Sequence, residues 1–186
     1  MAIRIVREED DEILRKKSRE VEVIDDKIKE LIADMIETMH KKEGVGLAAV
    51  QVGVLKKVFV VDLYEEGIEP LVFINPYLIK EKGEHQVEEG CLSFPNKFGK
   101  IMRPKEITVK YLDIDGNENE LKCKGLLAQA ISHEIDHLER KSLHRSSNSG
   151  NIGSDYRRGQ KESRRKDKKE KIMEDMRYEH TLHGNP

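Results

Sequence analysis

The chain has 186 residues, which is enough for one domain with an extension and too few for two large domains. Apolar residues make up 37% and charged residues 38%, and the mean hydropathy is −0.69, so part of the chain must stay solvated. No apolar run is long enough to cross a bilayer, and the first residues lack the apolar core of a secretory signal. We therefore expect a cytoplasmic protein with reduced cysteines, Cys91 and Cys123.

A helix is the first element that the sequence predicts. Apolar side chains recur at steps of three and four between residues 24 and 39, and Asp25 or Asp26 can cap the first turn. The pattern indicates an amphipathic helix of about four turns with one buried face. It ends near Gly44, where the spacing changes.

Short β-prone runs follow this helix, over residues 57–63, 71–74 and 106–112. Asp115-Gly116 is a hairpin signal, and a second helix is predicted over about residues 126–138. This order of elements predicts an α+β domain over residues 1–143, with an N-terminal amphipathic helix and short strands packed around a central helix.

Residues 144–186 differ in composition from the rest of the chain. They hold 11 Lys and Arg against 7 Asp and Glu, and the stretch from Arg157 to Lys171 contains no apolar residue. Such a stretch cannot bury surface, so we expect a basic C-terminal tail that is disordered or loosely helical. Contact with a polyanion such as RNA is the alternative interpretation of its charge.

The second predicted helix carries the sequence His133-Glu134-Ile135-Asp136-His137. Residues four apart lie on the same face of a helix, so both imidazoles can bind one metal ion. Two exposed histidines without a ligand are the alternative, but the neighbouring apolar residues favour a half-buried helix.

A catalytic ion needs a third protein ligand and an open position for water. One type of zinc protease would require Gly at position 140 and His at position 143, where this chain has Arg140 and Leu143. A Glu further downstream is a second possibility, although the chain there is very polar. Cys91, which follows Gly90, is the third, and a thiolate with two imidazoles suits zinc or ferrous iron.

A third segment, GVGLAAVQ at residues 44–51, is rich in small side chains and ends in Gln51. Small residues let a backbone or ligand approach closely, and the Gln51 amide can donate to an oxygen. The segment lacks the Gly-Lys-Ser/Thr ending of a phosphate-binding loop. By itself it is also compatible with an ordinary strand start.

Together and in this order, GVGLAAVQ (44–51), EGCLS (89–93) and HEIDH (133–137) resemble the three signature motifs of the peptide deformylases. The resemblance covers about residues 1–138. It implies a hydrolase that removes the N-formyl group from the initiator methionine of nascent polypeptides. It also implies a ferrous ion as cofactor, with zinc, nickel or cobalt able to occupy the site.

Carried over to this chain, the resemblance makes Cys91, His133 and His137 the metal ligands and Glu134 the general acid and base. Such a carboxylate typically contributes about 10² to 10⁴ in rate. The resemblance further implies an ion pair between Asp136 and Arg103.

The remaining site residues also follow from the resemblance. The Gln51 side chain and the Leu92 backbone N–H match oxyanion donors, and Gly46 matches a glycine whose backbone lies beside the substrate. We expect an extended peptide to pair with this main chain. The pocket for the methionine side chain is predicted from three residues: Val45, Leu126 and Ala130.

The chain departs from the family pattern after the third motif. The family has a Gly and an apolar pair there, whereas residues 139–144 read ERKSLH. In some relatives the C-terminal helix docks on the ribosome, so the resemblance implies the ribosome as a partner, although the C-terminal sequence of this chain is altered. The rival hypotheses are a non-enzymatic relative that binds ribosome or RNA through its tail, with a structural metal, and a metallopeptidase. No DNA or membrane partner is expected.

Overall fold

The structure, a computed structural model, describes residues 2–8 and 10–139. Its elements in chain order are α1 (Asp26–Lys41), β1 (Gly46–Ala48), β2 (Val58–Val61), β3 (Leu71–Cys91), β4 (Phe94–Leu112), β5 (Glu118–Lys124) and α2 (Gly125–Glu139). Short 3-10 helices occupy Glu12–Arg15 and Ala49–Val52. The domain boundary at residue 143, the basic tail and the altered sequence from residue 140 onward lie outside the described residues and stay predictions.

All five strands form one antiparallel sheet in the order β1-β2-β3-β4-β5. Each strand pairs with its neighbour in sequence, so β1 and β5 are the edges of the sheet within residues 2–8 and 10–139. One apolar cluster packs α1 against the sheet, and a second packs α2 against it. The predicted α+β class is confirmed.

The strand β2 shows how the sheet lies between the two helices. Val58 and Val60 belong to the α1 cluster, whereas Phe59 and Val61 belong to the α2 cluster. Successive side chains point to opposite faces, and both faces are covered here. This explains why the sequence is continuously apolar rather than alternating.

Helix α1 begins and ends close to the predicted positions. The Asp25 side chain accepts a hydrogen bond of 3.0 Å from the Ile28 amide, which confirms the N-cap. After Lys41 the Gly44 amide donates to the Met39 carbonyl (3.0 Å) and closes the C-terminal turn. The buried face is mostly apolar and includes Met35.

Strands β3 and β4 are far longer than the predicted runs, with 21 and 19 residues. Their outer halves are largely exposed and polar, so they lack the hydrophobic alternation from which strands are predicted. Opposite charges face each other across the hairpin, as in Lys82 with Glu106 and Glu88 with Lys100. Backbone pairing and such cross-strand pairs stabilise this ribbon where core burial cannot.

The hairpin predicted at Asp115-Gly116 joins β4 to β5. The Asp113 carboxylate accepts hydrogen bonds of 2.9 Å from the amides of Asp115 and Asn117, and Gly116 adopts a positive φ of 85°. Helix α2 follows β5 directly and matches the predicted helix within one residue at each end. Within the described residues, neither helix has the length and apolar character needed to cross a membrane.

Candidate active site

Helix α2 presents its two histidines to the sheet. His133 and His137 are each 8% exposed, and their ring centroids are 5.0 Å apart. The helix lies close to the sheet because small residues such as Ala128 and Ala130 occupy its buried face. The predicted sharing of one helix face by both imidazoles is therefore observed.

Cys91 ends β3, beside these histidines. Its Sγ lies 3.2 Å from His137 Nε2, and one donor atom from each of Cys91, His133 and His137 lies within 4.8 Å of the others. A tetrahedral ion with bonds of about 2.0 to 2.3 Å holds its ligand atoms at comparable separations. Among the residues that the structure describes, this is the one group of three or more His, Cys, Asp or Glu that satisfies the distance condition. The donor set therefore fits a divalent transition metal ion.

A buried ionic network lies behind His133. Glu89 Oε2 is 2.8 Å from His133 Nδ1, and Arg103 binds both Glu89 oxygens at 2.8 and 2.9 Å. Arg103 also contacts Asp136 at 2.5 Å, which confirms the expected ion pair. Because Nδ1 of His133 is bound to the carboxylate, the opposite ring nitrogen is directed toward Cys91 and His137.

Electrostatics keep Glu89 ionised in this network. Burial would raise the pKa of Glu89, but the hydrogen bonds from Arg103 and His133 outweigh it and lower the pKa to about 2. Burial would likewise lower the pKa of Arg103, yet Glu89 and then Asp136 raise it. Each charge is thus stabilised by its partners, and removing one would leave a buried charge uncompensated.

The pKa values of the two histidines shift in opposite directions. Burial lowers the pKa of His137 well below its usual value, so this imidazole is neutral, which is the form that binds metals. Burial also opposes charge on His133, but hydrogen bonds to Cys91 and Glu89 raise its pKa to about 10. A metal ion that bound through His133 would therefore displace a proton.

Glu134 is 3% exposed, and its Oε2 is buried without a hydrogen-bond partner within the described residues. Burial raises the pKa of Glu134 to about 7. Gly46 lies against it, because a Cβ at residue 46 would stand 2.9 Å from Glu134 Cδ and would also contact Oε1. A glycine is thus required at position 46 for β1 to pass this carboxyl group.

Gln51 lies in the 3-10 helix Ala49–Val52, and its amide orientation is fixed at both ends. Oε1 accepts a 2.8 Å hydrogen bond from the Ala48 amide, whereas Nε2 donates to Ser93 Oγ at 3.1 Å and lies 3.5 Å from Cys91 Sγ. The donor end of the amide therefore faces Cys91, one of the three candidate metal ligands.

The other predicted site residues lie on segments that lead to the Cys91, His133 and His137 cluster. Leu126 and Ala130 precede His133 and His137 at helical spacing, so they extend the same stripe of α2. Val45 packs against the α2 cluster from the segment before β1. Leu92 lies in the turn after Cys91, and its side chain contacts Gly44.

Glu89 and Ser93 belong to the EGCLS motif, but no role in the site was predicted for either of them from the sequence. A signal for Glu89 was available, since residues two apart in a strand share a face and Glu89 stands two before Cys91. The partner of Ser93 is 42 residues away in sequence. No local pattern could have indicated that contact.

A thiol and two imidazoles that can hold one metal ion, next to a buried carboxyl group with a pKa near neutrality, define a class of protein, the metal-dependent hydrolases. Comparison with known proteins narrows this class. The family model described as polypeptide deformylase matches residues 3–149. Peptide deformylase 1 of Clostridium perfringens is 54% identical over 139 residues, which cover 75% of this chain and 94% of that protein.

Two further relatives agree. The peptide deformylase of Finegoldia magna is 49% identical over 140 residues, covering 75% of this chain and 86% of the relative. The crystal structure of the peptide deformylase from Thermotoga maritima matches this fold with a TM-score of 0.75, and the two sequences are 39% identical. The match covers 80% of this chain and 100% of that one. The chain belongs to the polypeptide deformylase family, as the three motifs predicted.

Proposed function

We propose that this protein is a peptide deformylase that uses a divalent metal ion to remove the N-formyl group from the N-terminal methionine of newly synthesised polypeptides. The products are formate and a peptide with a free methionyl amine. The observation that carries the proposal is the meeting of Cys91, His133 and His137 beside the buried Glu134. Membership of the family supports the same reaction.

Cys91, His133 and His137 would hold the ion, and we propose ferrous iron, with zinc, nickel or cobalt as ions that the same donors accept. When bound, such an ion polarises the formyl carbonyl and lowers the pKa of a water molecule toward neutrality. Glu89 and Arg103 hold His133 in the orientation that binding requires.

Glu134 is the proposed general base and acid. Its buried Oε2 has the hydrogen-bonding capacity to take a proton from the attacking water, and its pKa of about 7 lets it accept and return that proton near neutral pH. The proton is then delivered to the methionyl nitrogen as the bond from the formyl carbon to nitrogen breaks.

Gln51 and Leu92 are the proposed donors to the formyl oxygen. The fixed Gln51 amide directs Nε2 toward the Cys91 side of the site, and the Leu92 amide follows Cys91 directly in the tight turn. Donors that are already in place stabilise negative charge on oxygen without reorganisation, and loss of one typically costs about 3 kcal/mol.

The edge of β1 that has no strand partner among the described residues, here called the open edge, is the proposed binding surface for the peptide main chain. The Val45 carbonyl accepts from the Asp62 amide, toward β2. Because hydrogen-bonding directions alternate along a strand, the N–H and C=O of Gly46 point to the open edge. An extended peptide could add there as a further strand, with its methionine side chain directed to Val45, Leu126 and Ala130.

The domain boundary, the C-terminal tail and the cellular location are also part of the proposal. We propose a catalytic domain over residues 1–143, a basic tail over 144–186 and a cytoplasmic location, where nascent polypeptides are available. The basic charge of the tail supports contact with the ribosome, although the sequence after Glu139 departs from the family pattern. A purely structural metal site would require neither Glu134 nor Gln51, which disfavours a non-enzymatic relative.

Formate release from formyl-Met-Ala-Ser tests the function. The full chain is purified without oxygen, its metal content is measured, and formate is followed with the formylated peptide and with the acetylated peptide as a control. We expect metal-dependent formate release from the first peptide and no hydrolysis of the second. A sample with one bound ion per chain and no formate release would overturn the enzymatic assignment.

A further inference from the structure

A group of side chains outside the metal site holds the segment that precedes β1. Tyr64 donates its hydroxyl hydrogen to the Gly44 carbonyl at 2.6 Å, and the Asp62 amide donates to the Val45 carbonyl at 3.0 Å. Both come from the loop between β2 and β3. The main chain at residues 44–45 is thus fixed by this loop immediately before Gly46.

The same loop is tied to the end of α1. His40 Nε2 lies 2.7 Å from Asp62 Oδ2, and the Tyr64 amide donates to Asp62 Oδ1 at 2.6 Å. The rings of His40 and Tyr64 are 5.4 Å apart. Asp62 therefore joins the side chain of His40, at the end of α1, to the main chain of Tyr64 in the loop.

Tyr64 adopts a backbone conformation that tyrosine rarely takes. Its φ is +58°, in the left-handed region, and the residue is 47% exposed. Burial in the core therefore does not account for its position. A strained, half-exposed residue persists when its contacts determine its conformation, and such residues concentrate at functional sites.

Residues 44–46, which these contacts hold in place, form the segment on which the proposed peptide binding depends. Gly46 offers its main-chain groups at the open edge of β1 and lies against the Glu134 carboxyl group. A displacement of residues 44–46 would weaken the pairing of these main-chain groups with the peptide, and so would weaken binding. The contacts of Tyr64 and Asp62 thus act one residue away from the substrate.

We propose that His40, Asp62 and Tyr64 form a clamp that positions residues 44–46 to pair with the main chain of the formylated peptide. These are positioning residues, and the proposal rests on the deformylase function proposed above. The clamp contributes to the binding of peptides that extend beyond the formylmethionine. A substrate without that extension gains nothing from it.

The test compares Tyr64→Phe with the wild-type protein. This variant keeps the ring and removes the hydroxyl that binds Gly44. We expect KM for formyl-Met-Ala-Ser to rise about fivefold, the scale of one hydrogen bond, with kcat within about twofold. KM for formylmethionine, which has no further chain, should change less than twofold. Tyr77→Phe is the matched control, because Tyr77 is also about half exposed but pairs with Lys110 on the ribbon.

Asp62→Asn provides a second variant that keeps the side-chain size and removes the charge facing His40. We expect the same selective rise in KM, and the double variant with Tyr64→Phe should raise KM by less than the product of the two single effects. Metal content and melting temperature are measured for every variant.

Three results would overturn the clamp: an unchanged KM for the tripeptide in both single variants, an equal rise of KM for both substrates, or a loss of kcat without a change in KM. Each leaves the deformylase function standing, because the wild-type protein still releases formate. Failure of the wild-type protein to release formate would instead refute the proposed function itself.

Discussion

The two helices pack on opposite faces of one sheet, yet they bury different chemistry. The inner face of α1 is mostly apolar and surrounds Met35 and Met39, which are fully buried. The inner face of α2 buries His133, Glu134 and His137 among apolar neighbours. Burying polar and charged groups is costly unless each has a partner. We infer that α1 serves mainly stability, whereas α2 accepts that cost for chemistry.

The largest expected effect on the α2 side comes from Glu134→Gln. The amide keeps the shape of the carboxyl group but cannot accept a proton, so kcat should fall by about 10² to 10⁴. Metal content and melting temperature should change little, because Glu134 is not among the three donors. Steady-state formate release with metal analysis checks this. Near wild-type turnover would show that another group is the base.

Arg103→Met should destabilise the α2 side. It removes the partner of the buried Glu89 carboxylate and of the partly buried Asp136, and breaking such a network commonly costs about 3 to 5 kcal/mol. Urea unfolding of the metal-loaded protein measures the loss. Lys110→Met, which removes a charge from the exposed pair with Glu120, is the control and should cost less than about 1 kcal/mol. Equal losses in the two variants would contradict a special role for the buried network.

Met35→Ala probes the α1 side by leaving a cavity in its apolar cluster. The side chain is fully buried, and such truncations cost about 2 to 5 kcal/mol. The same unfolding experiment measures this loss, while kcat/KM of the folded fraction should stay within about threefold of wild type. A large loss of kcat/KM with metal still bound would contradict the inference that α1 serves stability and α2 serves chemistry.

The smallest expected effect concerns Asp34 on α1, which accepts from the Ala2 amide at 2.6 Å and pairs with Arg4 at 2.9 Å. The hydrogen bond from Ala2, and then the Arg4 interactions, lower the pKa of Asp34 despite its burial. Asp34→Asn should cost about 1 to 2 kcal/mol at neutral pH.

The sign of the pH dependence follows from that lowered pKa. The stabilisation by Asp34 is fully present above the unfolded-state pKa of about 3.9 and disappears as pH falls through the lower folded-state value. The difference in unfolding free energy between Asp34→Asn and wild type should therefore shrink below about pH 4. A difference that stays constant from pH 7 into this range would show that Asp34 does not act through its charge.

Local sequence predicted the elements that carry a strong period. The 3.6-residue spacing of α1, its Asp25 cap and the placement of both histidines on one face of α2 are properties of a helix itself. The β3–β4 ribbon escaped prediction because its exposed outer half has no buried face to impose alternation. The β3–β4 ribbon forms because each strand pairs with a distant partner, and a local sequence pattern carries no information about that pairing.

The sequence by itself determined which residue types could hold a metal ion, and the order of the three motifs identified the family. The tertiary structure brings distant groups together: Cys91 with His137, which the family resemblance had predicted, and two sets of contacts that it alone revealed, Glu89 with His133 and Arg103, and Tyr64 with Gly44. The physical reason is the sequence separation of the residues that interact. Helical spacing acts over four residues, whereas these contacts join residues 14 to 46 apart and depend on the register of the sheet and on the packing of α2 against it.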